Sequence, residues 1–185
     1  MGMWKVLHSE YHFTSPFGNL RKDTCQMPNG TIIHDYYVNE YADWVNAIVL
    51  TKDQKIVLVE QYRQPGSDFY LEIPAGKIED GEAYEEGIIR EVCEETGYIS
   101  DQKPILLGEF MANPATQTNK VITFLIKDAY LAYEQELDDT EVLEVIKIPI
   151  TSVEEMIQNK EITQLFTVTA YYLAKEFLRN ESERD

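Results

Sequence analysis

The stretch GKIEDGEAYEEGIIREVCEETGY, Gly76 to Tyr98, sets eight carboxylates among 23 residues, three of them at Glu91, Glu94 and Glu95. The pattern predicts a helix over 82–96 that stops at Gly97, since glycine is the usual residue just past a helix end. At about 100° per residue, Val92, Thr96, Ile89 and Cys93 form one apolar arc with Ile88 on its edge. Glu91, Glu94 and Glu95 lie on another side, at i,i+3 and i,i+4 spacing, so their carboxylates are expected to converge. Like charges so placed cost a few tenths of a kcal/mol per pair, and the only nearby base is Arg90. Two readings follow. The face is simply solvated, or it holds a hard divalent cation such as Mg²⁺ or Mn²⁺, which takes oxygen ligands from carboxylates and substrate phosphate. The loop before the helix, PAGKIEDGE, carries a glycine that lets backbone approach whatever the carboxylates hold.

Working outward, the first third of the chain is strand-like: MWKVLHSEYHF, NLRKDTCQM, TIIHDYYV and WVNAIVLT are rich in Tyr, Val, Ile and Trp. PNG at 28–30 marks a turn between two of them. KIVLVEQYR and DFYLEIP continue the series, with QPGS between them. After the central helix come three more strand candidates, ILLGEFM, VITFLI and VLEVIKIPI. The chain closes with helices: SVEEMIQN, for which Ser152 is a candidate N-cap, and QLFTVTAYYLAKEFLRN, apolar at helical spacing. This element order is that of an α/β or α+β fold.

Sixteen basic against 33 acidic residues leave a net charge of −17, which repels nucleic acid and anionic membranes unless metal ions intervene. An acidic protein still binds a phosphorylated substrate where cations or placed arginines supply positive charge. Two cysteines, Cys25 and Cys93, are too few for a disulfide framework. Without a signal-peptide core or a membrane-length apolar run, the expectation is a soluble cytoplasmic protein.

The spacing in the central stretch is specific. Gly76, Glu82, Arg90-Glu91, Val92, Glu94-Glu95, Gly97 and Tyr98 fall in the register of the Nudix box, which the chain therefore resembles. Only Tyr98 departs from the commonest form, at a position usually aliphatic. EQYRQP (60–65), LEIPAGKIEDGE (71–82), SPFGNLRKDT and VNEYADWVNAIVLT are similar to the ADP-ribose pyrophosphatase and nucleoside-diphosphate-sugar hydrolase branch. The resemblance implies an α/β/α sandwich around a mixed sheet over residues 41–185. Residues 1–40 would form an antiparallel β extension used in homodimerisation and substrate binding. It implies Mg²⁺, with Mn²⁺ as a substitute, held by Glu91, Glu95, Glu94 and the Ala75 carbonyl. Arg90 and Glu82 would pair to hold loop and helix together.

The same resemblance points to an acidic loop before the last strand as the source of a general base. In EQELDDTEVLEV the candidates are Asp139 and Glu141, with Glu141 preferred; Glu94 is a further catalytic candidate. Arg63 is the candidate phosphate clamp, its alternative an ion pair with a neighbouring acid. Arg21 and its neighbour Lys22 could reach a phosphate or ribose, and Phe17 could stack on a base. Pro114 sits where ADP-ribose members carry a proline, but inside ANPATQTN rather than a Ser-Pro-Gly. His8, His12 and His34 show no ligand spacing, and Cys93 reads as a core residue.

The expected activity is metal-dependent hydrolysis of the pyrophosphate bond of ADP-ribose or a related nucleoside diphosphate sugar. GDP-mannose or a dinucleotide would serve the same box. A sensor domain that binds a nucleotide sugar without cleaving it is the alternative of another class, and an acidic scaffold with a solvated glutamate helix is a fourth.

Overall fold

The structure is a computed structural model and describes residues 2–183. In chain order its elements are β1 (Lys5–Ser15), β2 (Gly18–Gln26), β3 (Ile32–Glu40), β4 (Trp44–Thr51), β5 (Lys55–Arg63), β6 (Asp68–Glu72) and β7 (Ala75–Lys77). Then come α1 (Tyr84–Thr96), β8 (Tyr98–Ile99), β9 (Ile105–Met111), β10 (Lys120–Leu131) and β11 (Leu143–Pro149). One 3₁₀ turn (Ile150–Ser152), α2 (Val153–Gln158) and α3 (Leu165–Ser182) complete the chain. The chain divides into two compact units: 2–43 with 110–121, and 44–109 with 122–183.

In the first unit, β1, β2 and β3 form an antiparallel meander. The PNG turn closes as expected, with the Gly30 N–H donating to the Met27 carbonyl at 2.9 Å and Gly30 at φ 87°. Segment 110–121 joins β3 through a parallel bridge between Asn39 and Gln117. The Tyr36 hydroxyl also donates to the Ala115 carbonyl at 2.8 Å. Every residue of β1 except Ser15 is exposed, on both faces of the strand.

The second unit is built on a mixed sheet with central order β11-β5-β4-β10-β8. Its central strand β4 and the first half of β5 are buried on both faces, which is why WVNAIVL and KIVLV read as continuous apolar runs rather than alternating ones. One side chain set (Val45, Ala47, Val49, Val57, Ile122, Phe124, Ile126) packs with Ile88 and Val92 of α1. The alternate set (Ile48, Leu50, Ile56, Leu58, Leu125) packs with Val153 of α2 and Ala170, Tyr171 and Ala174 of α3. Helices therefore cover both faces, an α/β/α layering.

Three local expectations are corrected. The central helix begins at Tyr84, not Glu82, because Glu82 is recruited into the preceding loop. Its core line is Ile88, Val92 and Thr96, at i,i+4,i+8, while Ile89 is 48 % exposed and Cys93 half-buried. The helix is thus turned so that Glu95, not Cys93, lies inward. Ser152 occupies the cap position of α2 but makes no side-chain capping bond.

Candidate active site

The site grows from the β7–α1 connection. Gly97 ends α1 at φ 71°, its N–H donating to the Cys93 carbonyl at 2.8 Å. At the other end the loop is clamped by one guanidinium. Arg90 Nε donates to Glu82 Oε1 at 2.8 Å, and Nη2 donates to Glu82 Oε2 at 3.0 Å and to the Lys77 carbonyl at 3.2 Å. These bonds hold the Glu82 carboxyl down at about 2. Arg90 Nη1 turns to the helix and donates to Glu91 Oε1 at 2.9 Å and Glu94 Oε2 at 3.0 Å. The one base on the helix therefore offsets part of the repulsion among its glutamates.

Glu95 is held differently. It is 6 % exposed, and its Oε2 accepts from the Ala75 N–H at 3.0 Å. Burial pushes its carboxyl up to about 8. The Ala75 N–H pulls it back, the charges of Glu91 and Glu141 add to the rise, and Arg63 opposes it. Glu91 is raised too, chiefly by burial, against the pull of Arg90 and with Glu94 and Glu141 adding. Among the described residues no three His, Cys, Asp or Glu side chains are drawn close enough to grip one ion as they stand. Arg90 holds Glu91 and Glu94, and Ala75 holds Glu95.

The arrangement nonetheless fits a hard cation. The buried Glu95 and half-buried Glu91 carboxyls, both raised, mark a deficit of positive charge, and carboxylate and carbonyl oxygens suit Mg²⁺ or Mn²⁺. Gly76 makes the cradle: a Cβ there would fall on the Glu91 carboxyl itself, so only glycine lets that carboxyl lie against the β7 backbone.

Arg63, at the end of β5, donates from Nε to Glu72 Oε1 at 3.1 Å and from Nη2 to Glu72 Oε2 at 2.6 Å. Glu72 is almost fully buried, and it raises Arg63, with Glu95 and Glu141 adding at longer range. Removing Arg63 leaves a buried carboxylate without this partner. Arg63→Met is expected to cost about 2–3 kcal/mol, below a fully buried pair because Arg63 is part exposed. Adding Glu72→Gln should recover most of that loss in urea melts; two losses that simply add would refute the coupling.

Leu143, the first residue of β11, pairs with Gln61 of β5; Glu141 lies in the loop two residues before β11, within electrostatic reach of Arg63 at the end of β5. Glu141 is half-buried, whereas Asp139 is exposed. The second unit thus brings together Ala75, Glu91, Glu94, Glu95, Arg63 and Glu141. The remaining candidates lie in the first unit. Arg21 is bound by Asp23 at 2.9 and 3.0 Å and by Glu40, Lys22 pairs with Glu10 at 3.0 Å, Phe17 is 90 % exposed at the β1–β2 turn, and Pro114 is exposed. Glu72 was not singled out in the sequence; an acid inside the apolar run DFYLEIP was the available sign of it.

Among known proteins, the NUDIX domain family matches residues 41–168, and the nucleoside diphosphate sugar hydrolase N-terminal domain matches residues 4–39. An ADP-ribose pyrophosphatase of Bacillus subtilis is 30 % identical over 95 % of each chain. A methanol dehydrogenase activator of Bacillus methanolicus is 31 % identical over 96 % of each. A crystal structure of an ADP compounds hydrolase superposes with a TM-score of 0.84 over 98 % of this chain and 97 % of that one, at 18 % identity, a likeness of fold.

Proposed function

We propose, from the premise that this chain belongs to the Nudix family and is a Nudix hydrolase, that it cuts the pyrophosphate bond of ADP-ribose or a related nucleoside diphosphate sugar. ADP-ribose would yield AMP and ribose 5-phosphate. The observation that carries the reading is the buried Glu95 carboxyl beside Glu91 on a glycine cradle. The match of residues 4–39 to the sugar-hydrolase N-terminal domain supports the substrate class.

Nudix hydrolases generally use divalent metal ions; here we take the ion as Mg²⁺, with Mn²⁺ able to replace it. Glu91, Glu95, Glu94 and the Ala75 carbonyl would hold it. Bound there, it would polarise a phosphoryl oxygen and lower the pKa of water. Glu141 accepts the proton of the attacking water, and Arg63, with its Nε and Nη2 on Glu72, meets a phosphate oxygen with Nη1. In the first unit, Phe17, Arg21 and Pro114 are our proposed substrate contacts.

The test is phosphomonoester release from ADP-ribose, ADP-glucose, UDP-glucose, GDP-mannose and diadenosine polyphosphates, each with Mg²⁺, Mn²⁺ and EDTA. Metal-dependent release, fastest from ADP-ribose, is expected. Silence across the panel while ADP-ribose still raises the melting temperature would convert the protein into a sensor.

The β1–β3 sheet further supports a homodimer. Val6, Leu7, Tyr11 and Phe13 are each more than half exposed, and a strand bare on both faces needs a partner surface. Light scattering is expected to give twice the 21.5 kDa chain mass; a monomer at micromolar concentration would contradict it.

A further inference from the structure

After β10 the chain does not leave the surface but runs along the C-terminal end of α1. Ala132 and Tyr133 both donate to the Gly97 carbonyl, at 3.0 and 3.1 Å, and the Glu136 N–H donates to the Glu94 carbonyl at 2.9 Å. The Gln135 amide, Nε2, donates to the Glu95 carbonyl at 2.7 Å. The last carbonyls of a helix have no partner within it, and residues 132–136 supply them. Gly97 makes room for this, since a side chain there would collide with the Tyr133 carbonyl.

Beyond the clamp the chain turns once. The Glu141 N–H donates to the Asp138 carbonyl at 2.8 Å and the Asp138 N–H to Glu141 Oε2 at 3.4 Å. It then enters β11 opposite β5. The loop bearing Glu141 is thus tied at one end to α1 and at the other to the strand of Arg63. Glu95 serves twice: its carboxyl belongs to the site, and its carbonyl is the peg for the loop.

We propose that Gln135 is a positioning residue that registers the Glu141 loop on α1 through the Glu95 carbonyl, so that the base and the carboxylates of the helix move as one body. This rests on the reading of Glu141 as the base. Gln135→Met keeps length and removes the donor; Gln135→Asn keeps the amide but falls short of the peg. Each is expected to lower kcat about tenfold or more while KM for ADP-ribose stays within about twofold, the split expected when an interaction acts in the transition state.

The discriminating background is Glu141→Gln. Acting through Glu141, Gln135→Met should change the residual kcat there by less than about twofold. Amide exchange over 137–141 should quicken in Gln135→Met and not in Glu141→Gln. An equal drop of kcat in both backgrounds, accompanied by a lower melting temperature, would mean that Gln135 only caps α1 and would overturn the proposal. So would wild-type kcat in both Gln135 variants while Glu141→Gln is impaired. Wild-type kcat in Glu141→Gln itself would instead remove the base assignment, and the proposal with it.

Discussion

Replacing Glu95 by glutamine is expected to reduce metal-supported turnover by roughly a thousandfold, since a metal contributes several kcal/mol of charge stabilisation and each 1.4 kcal/mol is tenfold. The same variant should behave oppositely in stability. The Glu95 carboxyl ionises near 8 in the folded chain against 4.5 as the ordinary value. The unfolded chain therefore releases this proton first as pH rises, and the folded state binds more protons between those values. Stability from this group is fully present below about 4.5 and lost as pH rises through about 8. In EDTA, the melting temperature of Glu95→Gln should gain on the wild type from pH 5 to pH 8. Mg²⁺ should then raise the wild type and leave the variant where it was. A pH-independent difference between the two proteins would show that Glu95 is not the strained carboxyl.

Gly76→Ala should be nearly as damaging to activity through a single methyl group. The backbone at 76 is not among the positive-φ glycines, so alanine meets no conformational obstacle there and the strand can form. The obstacle is the Glu91 carboxyl, on which the new Cβ would fall. A side-chain end can swing away, but it then leaves the cradle and the place from which it would serve an ion. The expected result is a loss of about a hundredfold in kcat/KM with Mg²⁺, about 2.7 kcal/mol, and a melting temperature in EDTA within a few degrees of wild type. Gly97→Ala provides the contrast: there φ is 71° and the collision is with the Tyr133 backbone, so stability should fall as well. Wild-type kinetics for Gly76→Ala would detach Glu91 from the chemistry.

These positions were legible to different degrees before any coordinates. The register from Gly76 to Tyr98 marks the family because each residue answers a local need, for a turn, a cap, an i,i+4 pair or an Arg–Glu clamp. An α/β or α+β element order also followed from apolar runs of strand length between helical patterns, whereas two layers of helix over a mixed sheet came only with the family resemblance. Other features depend on partners far away in sequence. Glu72 is placed by the β5–β6 register, and Gln135 by a bond to a backbone carbonyl, which has no complementary residue type to look for. The inward turn that buries Glu95 and exposes Ile89 is set by how α1 rests on β4 and β10, and helical periodicity alone leaves an arc of that width undetermined. Strands β7 and β8, three and two residues long, are too short to show a period.

The central claim is that the α1 carboxylates over the Gly76 cradle are the cation site. Mn²⁺ titration followed by electron paramagnetic resonance reads this without any substrate. Wild type is expected to remove free Mn²⁺ from solution, with Mg²⁺ competing, and Glu95→Gln and Gly76→Ala to bind it at least about tenfold more weakly. Equal Mn²⁺ uptake by all three proteins would contradict the claim and place the ion elsewhere.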